Sequence, residues 1–242
     1  MPVATAQPSP YRLADHVRAC CVDEQVVILD MQRDKYMGLG GAQLSALCHF
    51  VVDWPMRSDV SQSAAPSTET NRCLKALLDQ QILAGTGTPI PPAGLEQAQE
   101  TLSLDLGSTD APSTWRDALD LGQAAFVVAV WMRFRCLAEI ADSVAHLRPQ
   151  IHARHRSSSP GDLHAAASAY MRLRPFVLTA HDQCLRDSLT LIRFLAKKNV
   201  FPRWVVGVRT RPFAAHSWVQ EGPLVLNDVH EHVREYTPIL VV

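Results

Sequence analysis

The sequence predicts an α+β protein in two parts, a small N-terminal module of strands and helices and a C-terminal part in which helices precede an antiparallel sheet. Three observations predict it. β-rich runs separated by turn residues fill 17–38 and are followed by helically spaced leucines. Residues 86–112 are rich in Pro, Gly, Ser and Thr and poor in large apolar residues, the signature of a linker. Near residue 203 the apolar period changes from 3.6 to 2. The expected division is therefore 1–85, a linker 86–112, and 113–242.

In chain order, "VRACCV" and "QVVILD" are strands divided by Asp23-Glu24, and "KYMGL" is a third after Gln32-Arg33-Asp34. A helix is expected from Gly41 to Phe50, with Leu44, Leu47 and Val51 on one stripe. A second runs from Glu69 to Leu83 on Leu74, Leu77, Leu78 and Ile82, stopped by Gly85. Strands and helices in so short a span make a module of the winged-helix kind. After the linker, one helix is expected over 113–147 and another from the Pro160-Gly161-Asp162 start to Arg174. A third follows in "DQCLRDSLTLIRFLAKKN", with Asp182 as its N-cap and Lys197 and Lys198 where cations suit the dipole. The strands "WVVGVR", "FAAHSWVQ", "PLVLND" and "YTPILVV" close the chain.

Composition excludes several classes. Lys+Arg number 23 against 24 Asp+Glu, so no global charge recruits nucleic acid or membrane. Locally, 1–85 carries 7 basic and 9 acidic residues and 113–242 carries 16 and 11. The acidic balance of the N-terminal module argues against a DNA reader, which needs a basic face. The N-terminal stretch has no secretory pattern, and the most apolar run, 121–132, is too short to span a bilayer. Six scattered cysteines with no C-x-x-C pair suit a reducing cytoplasm, not a disulfide framework or a structural zinc site. The vicinal Cys20 and Cys21 point to opposite faces of their strand.

The chemistry concentrates at the C-terminal end. Cys184 lies in the first turn of a helix, where the positive end of the macrodipole favours a thiolate. Downstream, Glu221-Gly222-Pro223 divides a run carrying His216 from one carrying Asp228. A three-residue loop pairs His216 with Asp228 on one face; a loop of Glu221-Gly222 pairs His216 with Asn227 instead. The three-residue loop is preferred because it keeps Pro223 out of the ladder. A thiol, an imidazole and an orienting carboxylate are the parts of a nucleophilic acyl-transfer site. His230 and His232, alternating like strand residues, could join Asp228 around a metal or form a solvated strand end. Trp218, two residues from His216, either walls a cleft or fills the core. Arg209 and Arg211 are either substrate-carboxylate ligands or surface charges.

The Cys-Leu helix start with its Ser-Leu step, "GVR", "PFAAHSWV" and "ND" resemble the transglutaminase-like, papain-related B proteins of lasso-peptide biosynthesis, over roughly 160–242. The resemblance implies a cysteine leader peptidase with Cys184 as nucleophile, His216 as base and Asp228 as orienting acid. It also implies an oxyanion site at the Cys184 N–H, with Gln183 as a candidate second donor, and no metal or organic cofactor. More loosely, "ILDMQRDKYMGL" followed by helices resembles the PqqD-like leader-recognition element of such pathways. That resemblance implies that a precursor leader adds as a strand at 34–39, with Tyr36, Leu74 and Leu77 as pocket candidates. The implied partners are the precursor peptide and an asparagine-synthetase-like cyclase, in the cytoplasm. Rival readings are an acyltransferase or transglutaminase on the same fold, and a non-catalytic leader-binding scaffold.

Overall fold

The computed structural model describes residues 11–40, 47–52, 54–55, 68–85, 94–102, 113–148, 160–177 and 184–242. The chain divides into two compact units, Met1–Pro92 and Ala93–Val242.

In the first unit the meander forms as read. Strands β2 (Val17–Val22), β3 (Gln25–Asp30) and β4 (Lys35–Leu39) make an antiparallel sheet in the order β2-β3-β4. Asp23 and Glu24 both take positive φ, 47° and 62°, which lets two residues close the first hairpin. At the second turn Asp30 Oδ1 accepts from the Gln32 and Arg33 N–H groups at 3.0 Å each. A second sheet, β5-β1-β6, joins β1 (Tyr11–Leu13), β5 (Val51–Val52) and β6 (Leu83–Gly85), none of them anticipated. The expected helix at 41–50 falls mostly outside the described residues; Leu47 is fully buried, and Val51 belongs to β5 rather than to a helical stripe. Helix α1 (Thr68–Asp79) is shorter than expected: Gln81 adopts φ 61°, which no helix continues through, and the chain enters β6. Leu74, Leu77 and Ile82 are buried against Val26, Ile28 and Val51 in the unit's core.

The second unit opens with an unexpected element. Part of the segment read as linker lies on the sheet: β7 (Glu100–Thr101) pairs parallel to β10 (Leu224–Val225), and Ala98 enters the core. The expected 113–147 helix is two, α2 (Trp115–Phe134) and α3 (Leu137–Ala145). Arg135 is extended, and Cys136 starts α3 with Glu139 bonding back to its N–H at 3.1 Å. Helix α4 (Pro160–Leu173) runs into a 3₁₀ turn, Arg174–Phe176, and α5 spans Cys184–Lys197. Leu189, Leu191, Phe194 and Leu195 of α5 are fully buried, each worth about 1.5–3 kcal/mol over exposure. At the end of α5, Lys198 bonds Asp117 and Asp120 of α2 at 2.7 and 2.9 Å.

Strands β8 (Arg203–Thr210), β9 (Phe213–Glu221) and β11 (Thr237–Val241) complete a five-stranded sheet ordered β11-β8-β9-β10-β7. It is mixed rather than antiparallel, because β7 adds in parallel. The expected strand "PLVLND" shrinks to Leu224–Val225, and His230–Val233 is a single helical turn, α6, rather than a strand end. Among the described residues no helix is long and apolar enough to cross a membrane.

Candidate active site

The β9–β10 hairpin closes with two residues, Gly222-Pro223: Leu224 pairs with Glu221 and Val225 with Gln220. Gly222 at φ 54° followed by proline's fixed negative φ is the arrangement of a type II′ turn, and it too keeps Pro223 out of the ladder. The expected three-residue register is thus off by one. Continued regularly, the observed register would set His216 opposite Val229 and turn Asp228 to the other face.

The ladder does not continue. Leu226 N–H still donates to Val219 O at 2.9 Å, but the side chain of Asn227 then takes the place of backbone, its Oδ1 accepting from Val219 N–H at 2.9 Å. The other end of that amide donates to Asp187 Oδ2 at 2.8 Å. Asp187 is buried and also accepts from the Tyr170 hydroxyl at 2.8 Å and pairs with Arg174 at 2.9 Å. This network bends the chain so that Asp228 reaches His216, Oδ2 to Nε2, at 2.5 Å. Asp228 Oδ1 accepts from the Val229 N–H at 2.7 Å, which fixes the carboxylate plane.

Cys184 is the first residue of α5 and is hydrogen-bonded to the His216 side chain. With Nε2 held by Asp228, Nδ1 is the nitrogen left for the thiol. The distance between α5 and β9 is set from below by Ser188 and Ser217, whose hydroxyls lie 2.7 Å apart, with the Trp204 indole donating to Ser217 at 2.8 Å. Ser188 is one turn beyond Cys184 and Ser217 adjoins His216, so this buried pair locks α5 to β9.

Electrostatics follow from the geometry. Burial pushes the Cys184 thiol up, but bonds from His216 and from the Ser217 and Leu185 N–H groups overcome it and hold the thiol below its ordinary value. Burial opposes charge on His216, yet Asp228 and Cys184 raise it to about 9. Burial pushes Asp228 up, and the bonds from His216, Val229 and His232 bring it below the usual carboxylate range. Together these shifts favour a thiolate facing an imidazolium, the resting form of an activated cysteine nucleophile.

Trp218 is buried to 2%, stacked near His216 at 6.1 Å with its indole bonded to Gln220. It packs in the core beside the imidazole. Leu74 and Leu77 are buried in the core of the first unit, and Tyr36 is half-buried on β4. Gln183 and Asp182 lie outside the described residues. Arg209 is engaged with Glu235 and lies over Tyr236, while Arg211 is exposed in the turn after β8. His230 bonds Thr101, so it anchors β7.

Two contacts here go beyond the sequence reading, which set His232 in a strand and gave Gly207 no packing role. His232 Nδ1 lies 3.1 Å from Asp228 Oδ2, across one turn of α6; the Asp-x-x-x-His spacing was the available signal. Gly207 pairs with His216, and a Cβ there would come within 2.8 Å of the Trp218 ring and 2.9 Å of Tyr236. This is the packing reason for the glycine in "GVR".

Residues 124–241 match the family model described as Transglutaminase-like superfamily. The chain is also similar to the Microcin J25-processing protein McjB of Escherichia coli, 49% identical over 45 residues, or 19% of this chain. The match spans only 22% of that relative's length. No solved structure gives a significant match. The stretch that carries Cys184, His216 and Asp228 on α5, β9 and the bend after β10 is therefore a transglutaminase-like core domain.

Proposed function

We propose that this protein is a cysteine peptidase that binds the leader of a ribosomally made lasso-peptide precursor and cuts it from the core peptide. The observation that carries the reading is the juxtaposition of Cys184, His216 and Asp228 on a transglutaminase-like core. Local similarity to a microcin-processing protein supports the substrate class.

In this mechanism the Cys184 thiolate attacks the scissile carbonyl, and the His216 imidazolium gives its proton to the departing amine. Water then attacks the thioester with His216 as base, releasing the leader acid and the thiol. Asp228 holds the ring and balances its charge. The Cys184 N–H, at the start of α5 where no intrahelical acceptor exists, is one oxyanion donor. In the first unit, β4 pairs with β3 and is the outer strand of its sheet, so an extended leader can add along it by main-chain hydrogen bonds. The freed core peptide would pass to a separate asparagine-synthetase-like cyclase.

Incubation with the precursor peptide, read by mass spectrometry, tests the proposal. Two fragments that sum to the precursor plus one water are expected from the wild type. The Cys184→Ala protein should still bind a fluorescent leader. An intact precursor after wild-type incubation refutes the peptidase; a mass gain corresponding to an added amine would assign acyl transfer instead.

A further inference from the structure

Asp228 holds a second imidazole that the proposed peptide cleavage does not use. His232 Nδ1 lies 3.1 Å from the same Oδ2 that meets His216 Nε2 at 2.5 Å, and one ligand atom from each of the three residues falls within 4.8 Å of the other two. The two imidazoles come from different elements, β9 and α6, and converge on one carboxylate oxygen. Their rings are 4.7 Å apart between centroids, and Tyr236 packs against both, at 5.2 Å from His216 and edge-on at 5.4 Å from His232. The donors are therefore placed before any ion arrives. The His232 side chain is 44% exposed, so one side of the cluster faces solvent.

Two imidazole nitrogens and a carboxylate oxygen, with an open position, are the donor set of zinc sites. Zn–N and Zn–O bonds of about 2.0–2.2 Å put tetrahedral donors roughly 3.3 Å apart, so the 2.5 Å side of this triangle would open and the 3.1 Å side would barely change. We propose that His216, Asp228 and His232 bind a Zn²⁺ ion with water as fourth ligand, and that occupancy turns off cleavage. The ion displaces the proton between His216 Nε2 and Asp228, which leaves to solvent while His216 keeps its Nδ1 proton, and His232 binds through Nδ1 with its ring proton on Nε2. His216 then has Nε2 on the metal, loses Asp228 as its partner and can no longer cycle a proton for Cys184. The inhibitory half rests on the proposed peptidase activity; the binding half does not.

The test separates the two. Zn²⁺ is titrated into untagged full-length Cys184→Ala protein against a colorimetric chelator, so that the thiol cannot serve as ligand. One equivalent bound is expected. His232→Ala or His232→Asn in that background should weaken the binding at least tenfold. His230→Ala, two residues away and bonded to Thr101 instead, should bind like its parent. Unchanged melting temperatures without metal would show that the variants fold. In protein with Cys184 intact, Zn²⁺ should stop precursor cleavage and a chelator should restore it. His232→Ala, normalised to its own metal-free rate, should need at least tenfold more zinc. Absence of stoichiometric binding, binding unaffected by His232→Ala, or equal loss in His230→Ala would overturn the site. Zinc bound as expected without inhibition of an active enzyme would overturn the switch. Zinc bound by protein that cleaves no precursor would refute the peptidase and leave the metal site standing.

Discussion

Among the described residues, the N-terminal unit buries two polar side chains, Asp30 and Thr70, whereas the C-terminal unit buries seven: Ser168, Asp187, Ser188, Thr190, Ser217, Gln220 and Asn227. The bonds differ in reach as well as number. Asp30 serves its own turn, through Gln32 and Arg33. Ser188 with Ser217, and Asp187 with Tyr170 and Asn227, tie together elements far apart in sequence. Apolar burial is non-directional and tolerates small slides; a buried hydrogen bond does not, because a missed partner costs about 1–3 kcal/mol. The first unit is built to fold. In the second, four of the seven, Asp187, Ser188, Ser217 and Asn227, bond the elements that carry Cys184, His216 and Asp228, where fractions of an ångström matter for proton transfer.

The largest effect should come from the reacting group itself. Cys184→Ala is expected to lower precursor cleavage by about 10⁴-fold or more with little change in melting temperature. Surviving cleavage would mean that the polar network surrounds the wrong atom. The comparison between units is sharpened by one variant in each. Asp187→Ala strands Asn227, Tyr170 and Arg174 and should cost about 3–5 kcal/mol in urea unfolding, together with most of the turnover. Ile82→Ala in the first unit should cost about 2–5 kcal/mol but leave kcat on a short peptide spanning only the leader–core junction unchanged. Equal loss of kcat in both would erase the distinction drawn here.

Gly207→Ala is expected to cost about 1–3 kcal/mol, since the added carbon meets Trp218 and Tyr236, and to lower kcat by moving the rings that brace His216. Unchanged kinetics would make that bracing irrelevant. The mildest test uses pH. His216 is raised to about 9, so the rate should fall on the alkaline side as pH climbs through about 9. On the acid side it should fall only below the ordinary carboxylate and thiol ranges, because Asp228 and Cys184 are both lowered. The same raised value makes the His216 contribution to stability complete below its ordinary 6.5 and lost as pH rises through about 9. Asp228→Asn should move the alkaline limb toward neutrality; an unmoved limb would detach it from His216.

Much of this arrangement was legible in the sequence. The 2-residue period announced β8, β9 and β11, and the helix start put Cys184 at a dipole end. The meeting of His216 and Asp228 was legible although the register argument that led to it was not right. Two alternatives that keep Pro223 out of the ladder differ by one residue, and only the Asn227 side chain, standing in for backbone, restores the contact. No local pattern encodes that substitution. β7 was missed because Glu100-Thr101 has no alternation of its own and is a strand only by virtue of a distant neighbour. His232 was misread because strand spacing was carried past the point where the chain turns helical. The buried serines were invisible for the opposite reason: Ser188 and Ser217 look like surface residues until a partner nearly thirty positions away is known.

Asn227 has one further consequence, chemical in origin. Both ends of its amide are committed, the oxygen to Val219 N–H and the nitrogen to Asp187. Hydrolysis of that amide would replace its donating nitrogen by an oxygen. It would set a second carboxylate 2.8 Å from the first. Two buried carboxylates at that spacing repel, so loss of ammonia at this position would undo the bend that brings Asp228 to His216.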